Sequence, residues 1–288
     1  MRKLKIAVVL IFIVSVIAFG AYNVVSRVTA DTTPPVISCD EDTISVSVEA
    51  TDEELMAGLT AEDAQDGDLT DAIRVASMSR FTEKGKRTIE YVVFDKANQS
   101  ATLTRNLEYT DYTSPQIMLT EPLRFDLNEI NESDLGTGVS VTDCLDGDIS
   151  NKVRVTLDNN AYINGAGTYG VTAQVSNSAG DTCSVPLELT IVDGDSTEER
   201  EKYYPMLSQY IVYTPVGQAI SPMDYLTGFM RGSTEYTLSD LPMNVDPAAV
   251  AVGGEVDYNT AGNYTLEYSY TSPEGVVAVT KMAVVVVG

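Results

Sequence analysis

The sequence predicts an all-β chain of three tandem sandwiches behind one apolar N-terminal segment. Three observations carry this. Apolar residues recur with a period of two, as in Ile89, Tyr91 and Val93 or Val185, Leu187, Leu189 and Ile191, which marks strands with one buried face. The chain matches itself at an offset of 80 residues, and a fixed period signals a repeat architecture. Short β-like runs separated by Gly, Asn, Asp and Pro leave little helical spacing, which favours packed sheets over bundles.

The first element lies at residues 1–30. Arg2, Lys3 and Lys5 precede an apolar run from Ile6 to Ala21, and no acid occurs before Asp31. Positive charge ahead of such a run retains the N-terminus inside and exports the chain beyond the run. Residues 6–25 supply the ~20 residues that span a bilayer, which makes an uncleaved anchor and a single-pass membrane protein with extracellular C-terminal domains. The alternative is a signal peptide cut at Val28-Thr29-Ala30, giving a secreted chain. Export is expected either way.

The repeats come next. Residues 58–75 and 138–155 share seven identities: Gly58/Gly138, Asp63/Asp143, the triplets Asp66-Gly67-Asp68/Asp146-Gly147-Asp148, and Arg74-Val75/Arg154-Val155. Beyond a loop the offset becomes 82, pairing Gly85 with Gly167, Asp95 with Asn177 and Leu107 with Leu189; loops tolerate such a two-residue insertion. A third copy shares the strand opened by Gly262 and the turn at Gly275, and lacks the triplet. The expected units are 31–111, 112–193 and 203–288. Between the last two, residues 194–202 are polar and charged, the composition of a mobile linker. Short helices are expected at Asp52–Ala57 and near Pro222–Leu226. The turns Asp95-Lys-Ala-Asn98 and Asn177-Ser-Ala-Gly180 place Asn and Gly where a left-handed backbone is needed.

The run Gly58-Leu-Thr-Ala-Glu-Asp-Ala-Gln-Asp-Gly-Asp-Leu-Thr70, followed by Gly85-Lys-Arg-Thr-Ile-Glu-Tyr-Val-Val-Phe-Asp-Lys-Ala-Asn98, resembles bacterial immunoglobulin-like repeat domains. These are the modules appended to pesticidal crystal proteins, related to hyalin-type repeats and found in arrays on surface proteins and secreted hydrolases. The resemblance covers residues 31–193 and the second half of 203–288. It implies Ig-like sandwiches with a spacer or adhesion role and no activity of their own.

Composition narrows the function classes. The chain has 288 residues and no His, which excludes His-dependent triads and His-containing zinc sites. Its formal net charge is −24. Four of the 18 Lys+Arg lie in the first 30 residues, so the remainder carries 14 positive and 42 negative residues, a formal −28. Nucleic acid needs a basic face and is excluded. No acid pair or nucleophile lies in a catalytic motif, so no enzyme is expected, and no cofactor other than Ca²⁺. The sequons at Asn98, Asn131 and Asn263 are read as chance matches in a bacterial-looking chain.

Three sets of residues are candidate sites. Asp63, Asp66, Asp68 and Asp143, Asp146, Asp148 offer hard oxygens for Ca²⁺, at a spacing unlike an EF-hand. The competing reading is an Asp turn in which side chains bond local N–H groups. Cys144 aligns with Ala64 and Cys183 with Ala101. A bridge there would fill the place of an Ala–Ala contact, so a Cys144–Cys183 disulfide is expected, with Cys39 a buried thiol. Ten of the 16 Tyr lie between Tyr203 and Tyr270. Tyr264, Tyr268 and Tyr270 share a strand face with Leu266 and are expected in the core. Tyr210, Tyr213, Tyr225, Tyr236 and Tyr258 are the freer candidates to meet a surface protein or glycan.

Overall fold

The computed structural model describes residues 2–28, 31–130 and 135–288. It opens with helix α1 (Arg2–Val28). Within it, Ile6–Val25 has a mean hydropathy of 2.5, long and apolar enough to cross a membrane. Its apolar side chains point outward all round and meet no core. A helix without a polar face has no stable place on the surface of a water-soluble fold. Thr29 and Ala30 of the expected cleavage site and the sequon at 131–133 lie outside the described residues.

The first sandwich contains β1 (Val36–Cys39), β2 (Thr43–Val46), helix α2 (Asp52–Leu55), β3 (Leu59–Asp63), β4 (Gly67–Asp68), β5 (Arg74–Met78), β6 (Lys86–Phe94) and β7 (Ser100–Tyr109). One sheet has the order β1-β3-β4, the other β2-β7-β6-β5. β2 runs parallel to β7, and the other pairings are antiparallel. Ile37, Leu59 and Ala61 of one sheet meet Ile44, Ile89, Tyr91, Val93 and Leu107 of the other in one core. A fully buried large apolar side chain contributes about 1.5–3 kcal/mol. Thr51 and Glu54 form a reciprocal cap on α2, and the buried Tyr91 hydroxyl donates to Leu55 O (2.6 Å). That pins the helix to the sheet and buries Leu55. In β3 the inward positions are Leu59, Ala61 and Asp63. The strand pattern therefore carries a carboxylate into the end of the core.

The second sandwich repeats this plan with β8 (Gln116–Leu119), β9 (Arg124–Asp126), β10 (Val139–Asp143), β11 (Gly147–Asp148), β12 (Arg154–Leu157), β13 (Gly167–Ser176) and β14 (Thr182–Val192). Its sheets are β11-β10-β8 and β12-β13-β14-β9, again with a parallel edge, β9 on β14. Helix α3 (Thr197–Glu201) comes next. The third sandwich holds β15 (Tyr204–Leu207), β16 (Ile211–Pro215), β17 (Leu226–Arg231), β18 (Thr234–Thr237), β19 (Ala251–Gly253), β20 (Gly262–Thr271) and β21 (Val277–Val287). Its sheets are β15-β17-β18 and β16-β21-β20-β19, with β16 parallel to β21. The fold is thus three β-sandwiches of one plan behind an apolar helix.

The chain divides after Asp111 into two compact units. The second unit holds the second and third sandwiches on one continuous core that includes Leu119, Val185, Tyr210, Phe229 and Met282. Residues 194–202, which their composition marks as a linker, carry a short helix and several contacts. Ser196 caps α3, Gly194 N donates to Asp126 Oδ2 (2.9 Å), Lys202 pairs with Glu199 (3.0 Å), and Tyr204 donates to Glu199 (2.7 Å). The charges that resemble a solvated tether are used to cap and pair a short helix.

Candidate functional site

Both Asp-Gly-Asp segments are tight turns built alike. Asp63 Oδ1 accepts from Gln65 N and Asp66 N (both 2.8 Å), and Asp143 Oδ1 accepts from Leu145 N (3.0 Å) and Asp146 N (2.9 Å). Gly67 and Gly147 come after them at φ +77° and +70°. Asp68 and Asp148 turn away to accept from Thr70 N and Ser150 N (2.9 Å each). Hydroxyls and then N–H groups of Thr70 and Ser150 hold these two carboxyls below the ordinary carboxylate range. Asp66 is lowered by the Lys96 N–H and then by its ammonium.

The turn at β3–β4 also gathers charge. One carboxylate oxygen each from Asp31, Asp63 and Asp66 lies within 4.8 Å of the others. Asp68 is outside this group, and Asp31 is a member that the repeat pattern alone did not single out. Its only sequence signal is its alignment with Asp111 at the offset of 80. Asp111 is used differently: Ser47 Oγ (2.6 Å) and Val48 N (2.8 Å) donate to it. In the second sandwich Asp143, Asp146 and Asp148 form no such cluster among the described residues. Ser178 N (2.8 Å), Ser178 Oγ (2.5 Å) and Lys152 Nζ (3.1 Å) saturate Asp146. Asn177 Nδ2 donates to Asp143 Oδ2 (3.1 Å).

The expected Cys144–Cys183 disulfide is not formed, and all three cysteines are free thiols. Cys144 sits on the β10–β11 turn and donates to Thr113 O (3.1 Å). Cys183 lies in β14 opposite Val175 and meets the Tyr213 hydroxyl (3.6 Å). The alignment with Ala64 and Ala101 is sound in register but identifies positions with separate neighbours. Cys39 is half-buried against the first core.

The tyrosines also differ from expectation. Tyr268 and Tyr270 are buried as their strand face predicts, and Tyr264 packs against the core. The five freer candidates are not exposed: Tyr210 is buried, and Tyr213, Tyr225, Tyr236 and Tyr258 pack partly against the core. Ile117 N of the second sandwich donates to Tyr213 Oη (2.9 Å). Tyr210 N donates to Leu119 O (2.8 Å). Burial raises both phenols. The Tyr213 hydroxyl and the Tyr210 backbone thus join the second sandwich to the third. Beside them runs a groove of about 740 Å³ lined by Arg124, Tyr204, Tyr210 and the acids Glu121, Asp126 and Glu199. The Arg124 guanidinium lies 3.4 Å over the Tyr204 ring, which uses its face for packing within the chain.

No family model matches the chain, and no curated protein matches it. Solved structures similar to it include the CBM51-2 and INT domains of Clostridium perfringens ZmpB in complex with GlcNAc, at 17% identity and TM-score 0.22, over 50% of this chain and 29% of that one. Mouse Cadherin-23 EC22-24 is similar at 13% identity and TM-score 0.19, over 89% of this chain and 99% of that one. The protocadherin GammaB4 extracellular domain matches at 13% identity and TM-score 0.19, over 88% and 50%. The chain spans less than a third of the Clostridium perfringens chains it matches. Likenesses of this depth say nothing about ligand or partner.

Proposed function

We propose that this chain is an exported bacterial surface module, held in the membrane by α1, whose three sandwiches act as a non-catalytic spacer or adhesion element. The observation that carries the reading is the exposed apolar span Ile6–Val25, preceded by Arg2, Lys3 and Lys5 and leading into sandwiches with a formal −28. A lipid bilayer buries that surface, and the charge bias orients it. The acidic exterior keeps the displayed part soluble and repels anionic cell-wall polymer. The partner is a surface protein rather than a stacked glycan. The third-sandwich tyrosines that would form a sugar platform are committed to packing.

Fractionation of the full chain in a bacterial host tests this. The chain should pellet with membranes, resist carbonate extraction, retain peptides preceding Ile6, and lose its sandwiches to protease added to intact cells. Recovery from the medium with a new N-terminus near Asp31 would establish the secreted alternative instead. Intact chain in the cytosol would reject export altogether.

A further inference from the structure

The two Asp-Gly-Asp turns differ in one buried hydrogen bond. Asp95 and Asn177 occupy the same place, since Asp95 N donates to Gln99 O and Asn177 N to Asp181 O (3.0 Å each). Asp95 Oδ1 accepts from Gln99 N (2.7 Å) as Asn177 Oδ1 accepts from Asp181 N (3.0 Å). The remaining side-chain atom is an amide nitrogen in the second sandwich, and it donates to Asp143 Oδ2. In the first sandwich that atom is a carboxylate oxygen, which accepts from Gln99 Nε2 (3.0 Å).

Asp63 Oδ2, the counterpart of Asp143 Oδ2, is therefore buried with no donor. Asp63 itself is only 8% exposed. Asp31, itself half-buried, also has one oxygen without a donor. Thr33 N (3.0 Å) and Oγ1 (2.8 Å) hold its Oδ1, while its Oδ2 is buried and unpartnered. Lys96 Nζ reaches Asp66 Oδ1 (2.9 Å), but this lysine side chain is 82% exposed. Its screened charge offsets little of the repulsion among three carboxylates. Buried carboxylates need paired charge or a metal.

We propose that Asp31, Asp63 and Asp66 ligate Ca²⁺, at a site present in the first sandwich and absent from the second. The donors are all carboxylate oxygens, which select a hard cation. Two oxygens bound to one Ca²⁺ at about 2.3–2.6 Å lie no more than about 5 Å apart, and these three lie within 4.8 Å of one another. Water supplies the rest of the flexible shell that Ca²⁺ accepts and Mg²⁺ does not. The ion ties Asp31, three residues beyond the end of α1, to the β3–β4 turn. It thus braces the chain where it enters the first sandwich. The assignment goes beyond the surface-module reading and does not depend on it.

Calorimetric titration of the full chain in detergent, stripped with chelator and then given CaCl₂, tests the site. One equivalent should bind at about 0.1–1 mM, the range of extracellular modules. Asp31→Asn should weaken binding at least about tenfold, the loss of one charged ligand being a large part of so weak a site. Asp95→Asn installs the amide of the second sandwich and should abolish binding, with a chelated melting midpoint no lower than wild type. Asp143→Asn should leave binding unchanged. No binding up to about 10 mM Ca²⁺, full binding by the folded Asp95→Asn chain, equal loss in Asp143→Asn, or equal affinity for MgCl₂ would each overturn the assignment.

Discussion

At the residue scale, the turns rest on a few atoms. Gly67 has φ +77°, and a Cβ there would meet nothing within 4 Å. Gly67→Ala should therefore cost only the left-handed backbone penalty, about 1 kcal/mol. Gly67→Asn should cost less, as Asn98 already holds φ +68°. Denaturant midpoints check this, and equal midpoints for Ala and wild type would refute it. The depressed carboxyls give a pH dependence of definite sign. Asp68 folds with a pKa below its unfolded value, about 3.9, so its contribution is complete above that pH and lost as pH falls through the folded value. The difference in melting midpoint between wild type and Asp68→Asn should be constant from pH 7 to about 5 and shrink as pH falls on through the folded pKa. The thiols give a third test. Alkylation without reductant should label Cys39, Cys144 and Cys183, and a Cys144–Cys183 peptide would contradict the separate partners seen for the two.

At the scale of elements, the alternation in β6, β13 and β20 predicts both faces correctly. Ile89, Tyr91 and Val93, then Val171, Ala173 and Val175, then Leu266, Tyr268 and Tyr270 are buried. The helix expected at 52–57 forms over Asp52–Leu55, capped by Thr51 and Glu54. The contacts of 194–202 are not legible in composition, which cannot show that Asp126, on another strand, accepts from Gly194. Tyr213 is the clearest case of an element joined by one group. Tyr213→Phe leaves the Ile117 N–H of β8 without this partner, and an unsatisfied buried donor costs about 1–3 kcal/mol. Urea unfolding of the variant should show that loss, whereas a change under about 0.5 kcal/mol would mean the hydroxyl contributes no more than an ordinary surface group.

At the scale of the whole molecule, the sandwiches do not form three equal beads. Residues 112–288 form one compact unit and the first sandwich belongs to another. Calorimetry of the full chain should resolve two transitions, because separate cores unfold separately. Tyr213→Phe should lower only one of them. If a single transition moved as a whole, the units would be coupled.

Period-two patterning, the 80-residue repeat and the apolar run determined the strands, the three sandwiches and the helix that precedes them. Those properties are local or periodic, and one chain read along its length contains them. Three things were decided only by the tertiary structure: that Cys144 and Cys183 have different neighbours, that the Tyr-rich stretch serves an internal joint, and that Asp31 joins Asp63 and Asp66. Each depends on which distant atoms face one another across packed sheets. The decisive contrast was present in the aligned pair Asp95 and Asn177 all along. Its meaning required seeing that the Asn amide reaches Asp143 while the corresponding oxygen of Asp63 is left without a donor.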